Sequence, residues 1–72
     1  MKSKTVLSVG KRLTSARLRA GWKTAQRFAD EIHIEGPTYR MYERGQCFPK
    51  AVNLLRICRA LNITPNDLLT DD

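Results

Sequence analysis

From Thr24 to Gly45 the chain reads TAQRFADEIHIEGPTYRMYERG, and this stretch leaves little choice of structure. Thr24 is a good helix N-cap, and Ala25, Phe28, Ala29 and Ile32 recur at the spacing that builds one apolar helical face. Gly36-Pro37 sets a second start, because proline is tolerated in a first turn, where its missing N–H costs nothing. On this second helix Tyr39, Tyr42 and Glu43 share one face, while Arg40, Met41 and Arg44 lie mostly on the other. Gly45 ends it. The segment is therefore two short amphipathic helices joined by a tight turn, the second with an exposed and partly basic side.

The flanks add three more helices. Residues 1–8 read as a polar N-terminal arm, after which Val9, Leu13, Ala16, Arg17 and Ala20 recur at helical spacing up to a stop at Gly21. Arg17 is the odd member of that apolar face. A loop, QCFP, leads through Pro49 to a helix that draws its buried residues from Val52, Leu55, Cys58, Ala60 and Leu61, with Asn62 able to take a left-handed cap. Thr64-Pro65-Asn66-Asp67 opens the last helix, with Leu68 and Leu69 tucking back. The expected fold is all-α, with five helices in one domain over residues 9–69 and an acidic tail at 70–72. A chain of 72 residues must gather its elements around a single core.

The charge balance narrows the partners. Thirteen Lys and Arg against seven Asp and Glu give a net charge of +6, which suits a polyanion, nucleic acid before an anionic membrane. The basic residues run from Lys2 to Arg59, and the C-terminal end is acidic. Cys47 and Cys58 lack metal-ligand spacing and, with one His, cannot complete an ordinary zinc site, so a loop thiol and a core filler in a reducing cytoplasm are expected. No metal or cofactor is expected. The apolar run near the N-terminus is too short for a signal peptide, and none approaches the roughly 20 residues that span a bilayer. One His, no nucleophile motif, no paired carboxylates and no glycine-rich phosphate loop argue against an enzyme.

The paired helices have the layout of a helix-turn-helix, whose second helix enters the DNA major groove. On that helix Arg40 and Met41 are the best base-edge candidates: Arg can bind guanine O6 and N7 together, and Met can meet a thymine methyl. Thr38 can do either. Gly36 and Pro37 offer no side-chain donors, so they set a stiff helix start and let the backbone come close to the bases. Lys23, Thr24, Gln26, Arg44, Gln46 and Lys50 are the phosphate candidates, with the helix start at Thr24 favouring anions. Phe28, Tyr39 and Tyr42 fall on core-facing positions, and Trp22 caps the core, so packing outweighs base stacking for these aromatics.

Read whole, the chain resembles the XRE-type regulators, the small phage repressor and Cro-like helix-turn-helix family. KRLTSARLRAG, FAD with Ile32, Tyr39, YERG, Pro49, LLRICRALNI and TPNDLL carry the likeness, in that order, across Val9 to Leu69. The resemblance implies a compact lambda-repressor-like fold and a bacterial or phage-encoded transcriptional regulator, most often a repressor. Its partner would be double-stranded DNA with a palindromic operator bound by a homodimer. It also implies an ion pair between Arg17 and Glu43 that orients the recognition helix and leaves Arg17 free to touch a phosphate. The chain departs from the family at His33, where relatives carry Gly, and has one extra residue before the second helix. It departs again at Gly36-Pro37, where relatives often place Gln, Ser or Arg. The rival reading is an antitoxin or accessory protein whose main ligand is a partner protein.

Overall fold

A computed structural model describes the backbone of residues 2–69 and the side chains of residues 7–69; the acidic tail at 70–72 lies outside the described residues. Five helices follow one another: α1 (Lys2–Arg19), α2 (Ala25–Glu31), α3 (Gly36–Glu43), α4 (Ala51–Leu61) and α5 (Pro65–Leu69). Among the described residues there is no strand, and the all-α expectation stands.

The helix ends follow from local chemistry. Thr24 Oγ1 accepts from the Arg27 N–H at 3.2 Å, capping α2. At α5 the two-way cap is complete: the Thr64 N–H donates to Asp67 Oδ2 at 2.8 Å, and the Asp67 N–H to Thr64 Oγ1 at 3.3 Å. Each of the first four helices closes the same way, with a residue of positive φ whose successor donates back to a carbonyl five residues earlier. Glycine fills that position after α1 and α3. After α2 and α4 it falls to His33 (φ 60°) and Asn62 (φ 57°). Both belong to the few L-residues that enter left-handed backbone at moderate cost.

The core is built from all five helices. Val9, Leu13, Phe28, Tyr39, Ile57 and Leu68 are its fully buried large side chains. Trp22, Phe28, Tyr39 and Tyr42 form a chain of tilted and edge-on ring contacts at 5.6, 5.3 and 6.2 Å, linking α2 to α3. Where α1 crosses the end of α3 the backbones nearly touch. A Cβ at Gly10 would lie 2.5 Å from the Glu43 carbonyl oxygen. That contact fixes how α3 sits on the domain.

Three sequence expectations change. Helix α1 begins at Lys2 rather than after a polar arm at 1–8: the segment contains no Pro or Gly to stop the helix, and Leu7 packs onto Gly45 at the end of α3. On α4 the buried face is Ile57, Cys58 and Leu61, while Val52 and Leu55 are 63% and 47% exposed and Ala60 is exposed too. Apolar residues run almost all round AVNLLRICRAL, so periodicity alone leaves the inward face open. On α5 only Leu68 is buried; Leu69 stands exposed.

Candidate nucleic-acid interface

The orientation of α3 is set from inside. Arg17 of α1 is 6% exposed and reaches Glu43 with two donors, Nε to Oε2 at 2.7 Å and Nη2 to Oε1 at 3.2 Å. Its Nη1 donates to the Trp22 carbonyl at 2.7 Å. The Tyr39 hydroxyl donates to the same carboxylate at 2.5 Å. The hydrogen bond to Glu43 raises the Arg17 guanidinium above its ordinary value, outweighing the opposing effect of burial. Burial, helped by the Glu43 hydrogen bond, pushes the Tyr39 hydroxyl well above its usual range, so it stays a neutral donor. Charge is buried here only because every partner is in place. Among the described residues no buried side-chain N or O lacks a hydrogen-bond partner.

This geometry corrects one assignment. Arg17 is not available to a phosphate, since its guanidinium is enclosed and its donors are committed to Glu43 and Trp22. It acts as a strut.

With Tyr39, Tyr42 and Glu43 turned inward, the opposite side of α3 faces out. Pro37 and Met41 are exposed, and Thr38 and Arg40 half-buried. Gly36 is buried: a Cβ there would overlap the Gln26 carboxamide. Gln26 thus lies across Gly36, which does not stand open on the outer side of α3. Arg40 Nη1 donates to Gln26 Oε1 at 2.7 Å, and Gln26 Nε2 donates to Asp30 Oδ1 at 2.9 Å. The start of α2 and the outer side of α3 are thus joined by a polar chain on the surface.

Lys23, Thr24 and Gln26 at the start of α2, and Arg44, Gln46 and Lys50 after α3, are exposed side chains. Arg27, also exposed, lines a shallow groove with Gly21, Trp22, Lys23 and Thr24. Sequence reasoning missed Arg27, although a basic residue in the first turn of α2, three positions after the Thr24 cap, was a usable signal. It missed Asp30 as well. A carboxylate on an exposed basic side reads as solvated until Gln26, four residues earlier, is seen to point at it. The α3–α4 loop is tied down by Asn53 Nδ2 donating to the Tyr42 hydroxyl at 2.8 Å. Phe48 in this loop and Val52 and Leu55 on α4 expose apolar surface. Cys58 is buried, which pushes its thiol up, and Cys47 is half-buried. No group of His, Cys, Asp and Glu among the described residues could hold a metal ion, and no described helix is long and apolar enough to cross a membrane.

Residues 10–71 match a family described as a helix-turn-helix domain. Over 62 residues the chain is 37% identical to the cryptic phage CTXphi transcriptional repressor RstR of Vibrio cholerae serotype O1 (strain ATCC 39315 / El Tor Inaba N16961). That alignment covers 86% of this chain and 54% of the relative, so the chain spans about half of that protein's length. No solved structure matches.

Proposed function

The chain belongs to the helix-turn-helix family of XRE-type regulators, and we propose that it binds double-stranded DNA sequence-specifically and represses transcription. In this reading α3 enters the major groove. The observation that carries it is the buried Arg17–Glu43–Tyr39 clamp, which holds one side of α3 against α1 and turns Thr38, Arg40 and Met41 outward. Arg40 offers hydrogen bonds to a guanine edge, Met41 an apolar contact, Thr38 either. Pro37 supplies shape at the helix start. Lys23, Thr24, Gln26, Arg27, Arg44, Gln46 and Lys50 surround them and contact phosphates, which set register and orientation without reading sequence.

One such module covers few base pairs. Two copies on a palindrome about 34–36 Å apart supply the missing affinity. In this reading the exposed apolar side chains Phe48, Val52 and Leu55 offer surface to a second copy. Repression follows from occluding polymerase, and the likeness to a phage transcriptional repressor supports that direction.

The test is equilibrium binding to one duplex and to its separated strand over a salt series. Duplex binding that falls steeply and log-linearly with salt, and exceeds single-strand binding at each point, is the expected result. Equal affinity for both forms would sink groove reading by α3. A reporter driven from a promoter overlapping the bound duplex should lose expression; increased expression would overturn the repressor assignment.

A further inference from the structure

Gly36 and Asp30 make no sense as separate features of a DNA-reading surface. One lacks a side chain where a reader is wanted, and the other puts negative charge beside the groove-facing helix. They share a contact. The Gln26 carboxamide lies over Gly36, in space a Cβ would fill, and is held there at both ends. Its Nε2 donates to Asp30 Oδ1 at 2.9 Å, and its Oε1 accepts from Arg40 Nη1 at 2.7 Å.

A carboxamide is nearly symmetric in shape but opposite in polarity at its two ends. Left free, Gln26 could turn its N–H₂ toward Arg40 and set donor against donor. A carboxylate only accepts, so Asp30 draws the Nε2 end and leaves Oε1 for Arg40. The pair spans one helical turn on α2, the spacing at which Gln and Asp side chains meet. Arg40 spends one Nη1 hydrogen on this contact and keeps its remaining donors for a base. We propose that Asp30 and Gly36 are positioning residues for base readout: Gly36 seats Gln26, Asp30 sets its polarity, and together they aim Arg40. Gly36 therefore serves recognition without touching a base. The inference rests on Arg40 being a base reader, as argued above. Against DNA the chain of hydrogen bonds loses its competing water and becomes more directive than it is on the free surface.

The experiment uses the full chain and the variants Asp30→Ala, Asp30→Asn, Gly36→Ala and Arg40→Ala, each checked for an unchanged thermal melt. The probes are the duplex selected by the parent protein and all of its single-base-pair variants, at one salt concentration. Arg40→Ala should lose discrimination at one base pair of each half-site. Asp30→Ala and Gly36→Ala should lose about fivefold or more at that same base pair and keep the rest of the profile. Asp30→Asn can donate as well as accept, so it no longer fixes the polarity of Gln26 and should lose discrimination at the same base pair, while sharing with Asp30→Ala any general gain in affinity for DNA. Loss at that base pair in Arg40→Ala together with full discrimination in Asp30→Ala would overturn this inference and leave the DNA-reading function standing. An unchanged profile in Arg40→Ala itself would overturn both.

Discussion

Two arginines, Arg17 and Arg40, each join α3 to a neighbouring helix, and they do opposite work. Arg17 is enclosed, meets a carboxylate through two hydrogen bonds and a carbonyl through a third, and shares its partner with Tyr39. Arg40 is half-buried and meets one neutral amide oxygen. A buried charge with every partner present is a strut, because loosening any member strands the others in a medium of low polarity. An arginine held by a single neutral acceptor keeps donors to spare, and orientation without saturation is what recognition needs. On the proposed reading, the same guanidinium is a strut or a reader according to what encloses it.

The sharpest way to break this contrast is at Glu43. Glu43→Ala leaves Arg17 buried without its carboxylate and should cost about 3–5 kcal/mol, read by chemical denaturation. A loss below about 1 kcal/mol would mean the clamp is solvated and that α3 is held by other means. Next is the backbone contact beneath the clamp. Gly10→Ala should cost about 1–3 kcal/mol, because the Glu43 and Tyr42 carbonyls that the new methyl meets are main chain and cannot swing aside. The opposite result is expected at the outer arginine. Arg40→Ala should leave stability within about 0.5 kcal/mol while removing about 1–3 kcal/mol of discrimination at its base pair, read by denaturation and by competition binding. If Arg40→Ala unfolds the protein, the division between strut and reader fails.

The smallest effect lies at the turn between α2 and α3. His33→Gly should stabilise by about 0.5–1 kcal/mol, the relief of left-handed backbone less the entropy of the added glycine. The His33 carbonyl that accepts from Arg56 Nη1 at 3.1 Å is untouched by the change. A loss of stability would assign the His33 ring a packing role that its exposure does not suggest.

How much of this was legible beforehand divides along the same line. Helix ends follow from short-range chemistry, so Thr24, Gly21, Gly45, Asn62 and the Thr64–Asp67 cap could be named from residue types at fixed offsets. The inward aromatics Phe28, Tyr39 and Tyr42 could be named because their helices are polar on the other side. Helix α4 defeats that logic, since Val52 and Leu55 look as buriable as Ile57 and only the packing against its neighbours decides. The start of α1 was hidden because a lysine-rich segment reads as a solvated arm until Leu7 finds Gly45. Gly36 shows the deepest limit. Its chemistry is an absence, and it becomes informative only when Gln26, ten positions earlier, is seen to fill the space.

The central claim is that the outward side of α3 reads DNA sequence. The direct measurement is selection from a random duplex library with the purified protein beside an Arg40→Ala, Met41→Ala double variant of equal thermal stability. The account predicts an enriched palindrome with half-sites one helical turn apart, lost or degraded in the double variant. Salt-sensitive retention of duplexes without enrichment, or the same motif from both proteins, would contradict it.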